Sequence, residues 1–395
     1  MDWIEKPMIL SGKKLLYIFD ASDWDSRITI ARAAKKEGAQ VTIGLIVADN
    51  DAAISAKVKS DPEEFNIVPL YKKTGGSKSI SASIFLLRDI RRLICNQKPD
   101  VIHAVTLKYS LITALAAIAV GKSNKIYTIA GLGYLYRSEE IKSLILRTAL
   151  WPLFLLSFRN PSAEMIFQNA DDRALFIDKK LTTVEKSHLI KGSGVYIDRF
   201  DAAQKSFDTQ ETPLVLMPTR LVHEKGIAVF IEAAKILEER DIKARFEIAG
   251  GLTYDNPRAI KQEEMEKMLQ GSAVKWLGRI DNIPEKLRQA RLVVYPSYYG
   301  EGIPRVLLES CAAGCPVITT DHPGCREVVE RGVNGLLVPV KDPQSTAQAI
   351  EKLLTDLETC RSMGKKSREK ACKEFDIHDI ANQTIEVYKH ITSKS

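Results

Sequence analysis

Short apolar runs alternate with longer amphipathic stretches along the first half of the chain. The runs KKLLYIF, VTIGLIV, VIHAV, KIYTIAG, EMIFQN and HLIKGSGV have the length and apolar content of strands. Stretches with helical periodicity lie between them, including one at about residues 80–97 and the apolar sequence YSLITALAAIAV. Strands that alternate with helices in this way indicate a parallel α/β sheet covered by helices on both faces.

A polar and weakly periodic segment, DRFDAAQKSFDTQETP, interrupts this pattern and predicts a linker over residues 198–212. The alternation restarts after it, with strand-like runs LVLMPTR, ARFEIAGG, AVKWLGR, RLVVYPS, PVITT and NGLLVPV. We therefore predict one domain over 1–197, a second over 213–375, and a C-terminal helix over 376–395 that packs back towards the first. Two doubly wound domains of similar size commonly bind ligands in the cleft between them, outside the carboxyl ends of the strands.

Composition agrees with this organisation. A length of 395 residues with 45% hydrophobic residues is enough for two sizeable cores. Six cysteines are too few for a disulfide scaffold, so we expect reduced thiols. The sequence begins MDWIE, which is acidic where a signal peptide would be basic, and no window of about 20 residues lacks both charge and proline. We expect a cytoplasmic chain without a membrane-spanning helix.

The net charge of +7 is unevenly distributed, with +8 in residues 1–205 and −1 in residues 206–395. A basic half beside a nearly neutral half indicates an anionic partner, which could be nucleic acid, an anionic membrane surface or a phosphorylated substrate. The chain has no run of five or six basic residues and no RNA-binding signature, which disfavours nucleic acid.

The stretch YPSYYGEGIPRVLLESCAAGCPVITTDHPGCRE (295–327) carries the most specific chemical signal. Pro304 suits the first turn of a helix, which places Glu301 in the loop before that helix and Glu309 within it. The free N–H groups of this helix start belong to Gly302, Ile303 and Arg305, and they form an anion site. Two carboxylates beside such a site can accept hydrogen bonds from sugar hydroxyls. The alternative is an exposed acidic loop with a solvated carboxylate.

A second signal is TRLVHEKGI (219–227), which follows a strand directly. Arg220 lies where the strand ends, and Lys225 with Gly226 opens the next helix. A planar guanidinium and a mobile ammonium can together bind a diphosphate, and we expect both at the surface of the cleft rather than in a core. The alternative is a surface ion pair with Glu224.

These residues together resemble a known enzyme family. The series Arg-Leu-x-x-Glu-Lys-Gly, Gly-Gly at 250–251, Leu-Gly-Arg at 277–279 and Pro-Ser-x-x-x-Glu-Gly-x-Pro-x-x-x-x-Glu is similar to that of the retaining glycosyltransferases of family four. Their architecture, called GT-B, has two Rossmann-like domains that face each other across a cleft. GLGYLYR, IFQNADDRALF and IKGSGV also resemble the bacterial members that extend undecaprenyl-diphosphate-linked sugars in O-antigen, capsule or glycoprotein glycans.

The resemblance implies a role for each matching residue. Arg220 and Lys225 would bind the donor diphosphate and stabilise the leaving nucleotide, and Glu301 would hold the donor sugar. The other implied donor-binding residues are Glu309 at the ribose, Gly302, Ile303, Pro304, Arg305 and Val306 at the phosphates, Gly278, Arg279 and Ile280 at the base, and Gly250. Fixed cations and helix N–H groups would stabilise the charge that develops on the leaving phosphate, so we expect no metal and no other cofactor.

The first half departs from the family pattern at two places. DASDWDSR (20–27) stands where many members have Gly-Gly, and Ala130-Gly131 stands where many have a histidine. His103 ends an earlier strand, where it either faces the cleft or is buried with its hydrogen bonds satisfied. The candidates for acceptor binding are His103, Lys108 and Arg137, with Lys142 as a further basic residue.

Two short segments, Asp23-Trp24-Asp25 and Asp49-Asn50-Asp51, resemble the Asp-x-Asp metal signature of the other glycosyltransferase architecture. Each lies in a loop after an early strand, without the sequence context of that signature. We therefore predict that neither binds a metal.

Residues 139–160 are unusually apolar, with Arg147 the one charged residue between Ser143 and Phe158. This stretch is either a core helix on the first sheet or a helix that lies in the membrane interface. In the second case Trp151 and Phe154 would insert into the bilayer, and peripheral membrane contact would involve residues 141–160.

The sequence therefore predicts a metal-independent retaining transfer of a hexose or N-acetylhexosamine from a nucleotide-diphosphate sugar. UDP is the expected nucleotide, and a polyprenyl-diphosphate-linked sugar in surface glycan biosynthesis is the expected acceptor. The expected location is the cytoplasm, on the inner face of the membrane. Two alternatives are a GT-B UDP-sugar epimerase and an inactive basic membrane-binding module. The first needs several acid–base groups in the cleft, and the intact Arg220, Lys225, Glu301 and Glu309 argue against the second.

Overall fold

The computed structural model describes residues 8–48, 65–72, 80–118, 123–132, 141–200, 212–253 and 258–394. The chain divides into two compact units. Unit 1 comprises Met1–Ser193 with Ile377–Ser395, and unit 2 comprises Gly194–Asp376. Most of the segment predicted as a linker, residues 201–211, lies outside the described residues.

Unit 1 is built on a parallel sheet of seven strands. The strands are β1 Lys14–Asp20, β2 Gln40–Ala48, β3 Asn66–Lys72, β4 Val101–Val105, β5 Asn124–Ile129, β6 Ala163–Phe167 and β7 Ser187–Leu189, in the order β3-β2-β1-β4-β5-β6-β7. The helices that follow them are α1 Trp24–Lys36, α2 Ile80–Gln97, α3 Leu107–Ala117, α4 Ile141–Phe158 and α5 Ala170–Asp178.

The central strands of unit 1 are apolar on both faces, which explains their continuous hydrophobic runs. Leu15, Tyr17 and Phe19 of β1 face a core that contains α1 residues. Leu16 and Ile18, which alternate with them, face a second core formed with α2, α3 and α4. Helices therefore cover both sides of the sheet, as the alternation predicts.

Helix α4 contributes to the second of these cores. Phe154 is 1% exposed and stacks on Phe158, with ring centroids 5.8 Å apart. The interpretation of Phe154 as a membrane-inserted side chain is therefore wrong, because its ring is enclosed in the core of unit 1. Trp151 is half-buried against the same core, whereas Leu156 is 58% exposed. Among the described helices, none is long and apolar enough to cross a bilayer.

Unit 2 is built on a parallel sheet of six strands. The strands are β8 Leu214–Pro218, β9 Arg245–Ala249, β10 Lys275–Trp276, β11 Leu292–Tyr295, β12 Val317–Thr320 and β13 Gly335–Val338, in the order β10-β9-β8-β11-β12-β13. The helices are α6 Ile227–Glu239, α7 Gln262–Leu269, α8 Ile283–Gln289, α9 Arg305–Ala312, α10 Pro343–Thr355 and α11 Leu357–Glu374.

Both sheets are doubly wound. In unit 2 the chain proceeds from β8 to one side of the sheet, then returns so that β11 pairs with the opposite side of β8. In unit 1 the equivalent reversal lies between β1 and β4. The prediction of two Rossmann-like α/β domains is confirmed. Ligands of such sheets bind where the strand order reverses, at the carboxyl ends of the strands.

The last helix, α12 Ile377–Ser393, belongs to unit 1 although it follows unit 2 in sequence. It packs against α1 and places Ile385, Tyr388 and Ile391 in the core that contains Tyr17. Unit 1 is therefore assembled from two separate segments of the chain.

Candidate functional site

The candidate site lies along the carboxyl edge of unit 2, which comprises the loops that follow β8, β9, β10 and β11. All these strands are parallel, so their carboxyl ends lie at the same edge of the sheet. Arg220 follows β8, Gly250 follows β9, Gly278 follows β10, and Glu301 follows β11. The sheet therefore brings together residues that are up to 81 positions apart in sequence.

Lys225 is held in a short turn against the loop that follows β11. It ends a 3₁₀ turn, His223–Lys225, and Gly226 follows with a φ of 81°. A Cβ atom at Gly226 would lie 2.1 Å from the carbonyl oxygen of Pro296, so glycine is required by both conformation and space. The resulting contact leaves Lys225 only 3% exposed. The expectation that this lysine lies at the surface is therefore wrong.

Lys225 forms an ion pair with Glu301, and Tyr295 joins both residues. The Nζ of Lys225 donates to Oε1 of Glu301 and to the Tyr295 hydroxyl, which is 2.6 Å away. The same hydroxyl donates to Oε1 of Glu301 at 2.8 Å. Burial alone would raise the pKa of Glu301, but Lys225 and the Tyr295 hydroxyl outweigh it and lower that pKa. Burial raises the pKa of Tyr295 well above its usual value, so this residue is a neutral phenol.

Arg220 has a different environment. Its side chain is exposed, and it makes no hydrogen bond or ion pair with another side chain in the described part of the chain. The alternative of an ion pair with Glu224 is not observed for Arg220 or Lys225, because Glu224 pairs with Arg258. A free guanidinium is therefore available beside the Lys225–Glu301 pair, where its charge also lowers the pKa of Glu301.

Threonines of β12 and backbone groups fix the loop that carries Glu301. The Thr319 hydroxyl donates to the carbonyl of Tyr295 at 2.7 Å, and the Thr320 hydroxyl donates to that of Ser297. The carbonyl of Glu224 accepts from the Tyr298 N–H at 2.8 Å, which ties this loop to the Lys225 turn. The role of these threonines is not evident from the sequence, because PVITT has the composition of an ordinary buried strand.

Helix α9 begins at the end of this loop. Pro304 is the residue just before its first helical residue, Arg305. Gly324 packs directly against the backbone of this loop. A Cβ atom at this position would lie 1.7 Å from the carbonyl oxygen of Gly302, so only glycine fits. Within the helix, Nε of Arg305 donates to Oε1 of Glu309 at 2.9 Å, one turn further along. Among the other predicted residues here, Ile303 is buried and Val306 is half-buried.

The glycines after β9 and β10 allow close backbone contacts. The N–H of Gly250 donates to the carbonyl of Gly278 at 2.8 Å. A Cβ atom at Gly250 would lie 1.5 Å from the carbonyl oxygen of Thr219, so the end of β9 packs directly on the end of β8. The indole N–H of Trp276 in β10 also donates to the carbonyl of Gly250 at 2.8 Å. Next to Gly278, the Arg279 side chain is 86% exposed and Ile280 is half-buried.

The candidates in unit 1 are placed differently. His103 is fully buried, with Nδ1 2.7 Å from the Tyr388 hydroxyl and Nε2 2.7 Å from the Thr128 hydroxyl. The prediction of His103 as an acceptor-binding residue is wrong, because both ring nitrogens are engaged inside the core. Lys108 is exposed in the first turn of α3. Arg137 lies outside the described residues, as do Asp49, Asn50 and Asp51.

Asp20 stabilises the loop after β1, where DASDWDSR stands in place of Gly-Gly. Its carboxylate accepts from the N–H and hydroxyl of Ser22 at 3.1 and 3.0 Å, and from the Tyr109 hydroxyl at 2.8 Å. Asp23 and Asp25 flank Trp24, which is 4% exposed at the start of α1. Within the described residues, no three His, Cys, Asp or Glu side chains are grouped to hold a metal ion.

Comparison with known proteins identifies the family. The model of glycosyl transferases group 1 matches residues 198–370, and that of the glycosyl transferase 4-like domain matches residues 14–163. A similar relative is the N,N'-diacetylbacillosaminyl-diphospho-undecaprenol α-1,3-N-acetylgalactosaminyltransferase of Campylobacter jejuni. It is 27% identical over 76% of this chain and 80% of its own length. The capsular polysaccharide biosynthesis glycosyltransferase CapM of Staphylococcus aureus is 22% identical over 77% of this chain and 80% of its own length.

Among solved structures, Anabaena HepE in complex with UDP-glucose has the same fold. The TM-score is 0.75 at 20% identity, over 96% of this chain and all of HepE. The two family matches account for most of the sheet and helix residues of both units. The resemblance carried by the motifs is thereby confirmed: the chain belongs to the glycosyltransferases, with a 4-like domain in unit 1, a group 1 domain in unit 2 and the two Rossmann-like domains of the GT-B architecture.

Proposed function

We propose that this glycosyltransferase moves a hexose or N-acetylhexosamine from a UDP-sugar to a polyprenyl-diphosphate-linked sugar, with retention of configuration, in surface glycan biosynthesis. The observation that carries the proposal is the group of Arg220, Lys225 and Glu301 at the carboxyl edge of unit 2. The names of two relatives support the acceptor and the pathway, since one acts on a diphospho-undecaprenol sugar and the other in capsule biosynthesis. The complex of HepE with UDP-glucose supports the donor class.

The proposed chemistry is stabilisation of the leaving UDP. Cleavage of the sugar–phosphate bond develops negative charge on the diphosphate. Arg220 has an exposed planar guanidinium. Lys225 has a third ammonium N–H besides the two that donate to Tyr295 and Glu301. The N-terminus of α9 adds backbone donors beside them. Preorganised donors of this kind lower the barrier because they require no rearrangement as the charge develops.

The donor would lie along the same edge of the sheet. In this proposal Glu301 accepts a hydrogen bond from a hydroxyl of the donor sugar, and Glu309 accepts those of the ribose. The open backbone at Gly278, with Ile280 beside it, would contact the base. The pair with Arg305 supports the assignment of Glu309, because it orients that carboxylate.

The acceptor would bind to unit 1. Lys108 is an exposed cation near the reversal of strand order between β1 and β4, and Arg137 is a second candidate for the acceptor diphosphate. We also propose peripheral contact with the inner face of the cytoplasmic membrane through α4. The exposed Leu156 would enter the interface, and Arg159 would lie at the headgroups.

We further propose that transfer needs no metal ion, since two cations and a helix N-terminus supply the positive charge. EDTA should then leave the rate largely unchanged. If chelation abolished transfer and Mg²⁺ or Mn²⁺ restored it, Asp23, Asp25 and the other Asp-x-Asp segment would become the first residues to test.

The direct test is incubation of the purified protein with a panel of UDP-sugars and a polyprenyl-diphosphate sugar. The expected result is one extended lipid-linked product, whose new bond has the anomeric configuration of the donor by NMR. An inverted product would contradict retention. Epimerised UDP-sugar without transfer would favour the epimerase, and absence of any reaction would favour the inactive module. Arg220→Ala is the matched control, because it removes an exposed side chain of the candidate site.

A further inference from the structure

Tyr295 lies between the two charged groups of the candidate site. It is the last residue of β11, and its side chain is 2% exposed within the core of unit 2. Its carbonyl is fixed by Thr319, so the backbone at this point has little freedom. The hydroxyl reaches out of the apolar core to the ion pair formed by Lys225 and Glu301.

The hydrogen bonds of this hydroxyl are fully determined. A phenol has one proton to donate and can accept as well. The ammonium of Lys225 can only donate, so the Tyr295 hydroxyl accepts its hydrogen bond. The hydroxyl in turn donates a hydrogen bond to Oε1 of Glu301. This hydroxyl therefore restricts the mutual orientation of the carboxylate and the ammonium, because it is bonded to both.

The same geometry divides the two oxygens of Glu301 between the protein and a ligand. Oε1 receives both the Tyr295 hydroxyl and the Lys225 ammonium. Oε2 makes no hydrogen bond with another described residue, and the Glu301 side chain is 21% exposed. Oε1 is thus bonded within the protein, and Oε2 can accept a hydrogen bond from a hydroxyl of a ligand.

We propose that Tyr295 is a positioning residue for sugar transfer: its hydroxyl orients Oε2 of Glu301 towards the donor sugar and fixes the Lys225 ammonium for the leaving diphosphate. This inference rests on the proposed function. The hydrophobic pattern assigns Tyr295 to the core, because its ring is buried and only its hydroxyl oxygen makes polar contacts.

The test is Tyr295→Phe, which keeps the ring and removes only the oxygen. We expect kcat to fall roughly 100-fold, as for a small misplacement of catalytic groups, while KM for the UDP-sugar changes by less than about 3-fold. Glu301 loses a donor in this variant, so the acid limb of the pH profile should move to higher pH. Tyr298→Phe is the matched control in the same loop, where we expect no change in rate or in pH profile.

A combined variant separates positioning from general damage. If Tyr295 acts through the Lys225–Glu301 pair, then Tyr295→Phe in a Lys225→Ala, Glu301→Gln background should cost little further rate, because coupled residues are not additive. Additive losses, an unmoved acid limb or a normal kcat would each overturn the proposal.

A measurement without substrate distinguishes failure of this inference from failure of the proposed function. The ionised Glu301 stabilises the fold at neutral pH, and this contribution is lost as pH falls through its lowered pKa. Tyr295→Phe should shift that loss to higher pH in urea unfolding. If the wild type transfers no sugar, the proposed function fails, and an unshifted curve would overturn the role of Tyr295 as well.

Discussion

Arg220 and Lys225 are both cations of the candidate site, yet their environments differ. Arg220→Ala removes an exposed side chain, so we expect turnover to fall about 100- to 1000-fold with an unchanged midpoint of urea unfolding. Lys225→Ala should show a similar loss of rate and also a lower stability. The reason is that Glu301 would keep its charge in a mostly buried position without its partner.

The cost of that unpaired carboxylate is about 2–3 kcal/mol, below the range for a fully buried pair because Glu301 is partly exposed. Adding Glu301→Gln to Lys225→Ala should recover part of this stability and none of the activity. Equal stability of Lys225→Ala and the wild type would contradict the ion pair.

His103 links β4 to α12 and gives the protein a defined response to acid. Burial lowers its pKa well below the usual value of about 6.5, so it is neutral in the folded protein. The unfolded chain takes up a proton at this residue below about pH 6.5, while the folded chain does not. Stability should therefore fall as pH drops below about 6.5 and be constant, for this residue, above it.

His103→Leu tests this response by urea unfolding at pH 7.5 and pH 5.5. We expect a loss of about 1–3 kcal/mol for each of the two hydroxyls left unpaired, those of Tyr388 and Thr128. The variant should also depend less on pH than the wild type does. A wild-type pH dependence that is unchanged in the variant would assign the acid sensitivity to other groups.

At the scale of elements, α4 has a buried face and an exposed face. Phe154 and Phe158 pack in unit 1, whereas Leu156 points away from that core. We expect Leu156→Ser to weaken co-sedimentation with anionic liposomes without a change in unfolding. Phe154→Ser should instead destabilise the fold by about 3–5 kcal/mol, the range for removal of a buried aromatic ring.

Each variant is the control for the other in this experiment. Liposome binding by the Leu156→Ser variant equal to that of the wild type would contradict the proposed membrane contact of α4. Normal stability of the Phe154→Ser variant would contradict its burial.

Most elements could be predicted from the hydrophobic pattern, and β3 shows why one could not. Its sequence, NIVPLYK, contains Pro69, which removes a backbone donor and argues against a strand. The strand forms because β3 lies at the edge of the sheet, where it pairs on one side only with β2. Edge position is a property of the assembled sheet and is not encoded in the local pattern.

In the candidate site too, the chemical groups could be predicted from the sequence but their contacts could not. Spacing within TRLVHEKGI and YPSYYGEGIP identified Arg220, Lys225 and Glu301 as chemical groups, because the local strand and helix signals there are strong. The contact between Lys225 and Glu301 spans 76 positions and depends on Gly226 packing on Pro296. The burial of His103 could not be predicted for the same reason, since its partner Tyr388 lies 285 positions away.

At the scale of the whole molecule, unit 1 depends on a helix at the far end of the chain. Ile385, Tyr388 and Ile391 each contribute about 1.5–3 kcal/mol by burial, which together is a large part of the stability of an ordinary domain. We expect truncation before Ile377 to unfold unit 1 while unit 2 stays folded. Limited proteolysis should then leave a protected fragment over residues 194–376.

A truncation after Ser393 is the control, because it keeps the whole of α12 and should leave both units protected. Digestion of unit 2 at the same rate as unit 1 in the shorter chain would show that the two units do not fold independently.

The late position of α12 also determines the order in which a newly made chain can fold. Multidomain proteins generally fold from the N-terminus as the ribosome releases them, at about 5–20 residues per second. Here all of residues 194–376 are synthesised before α12 exists, a delay of roughly 10 to 40 s at that speed. Throughout this time the first sheet exposes the apolar surface that α12 later covers. Unit 2 can therefore complete its core first, and unit 1 is the part of a nascent chain that exposes apolar surface for longer.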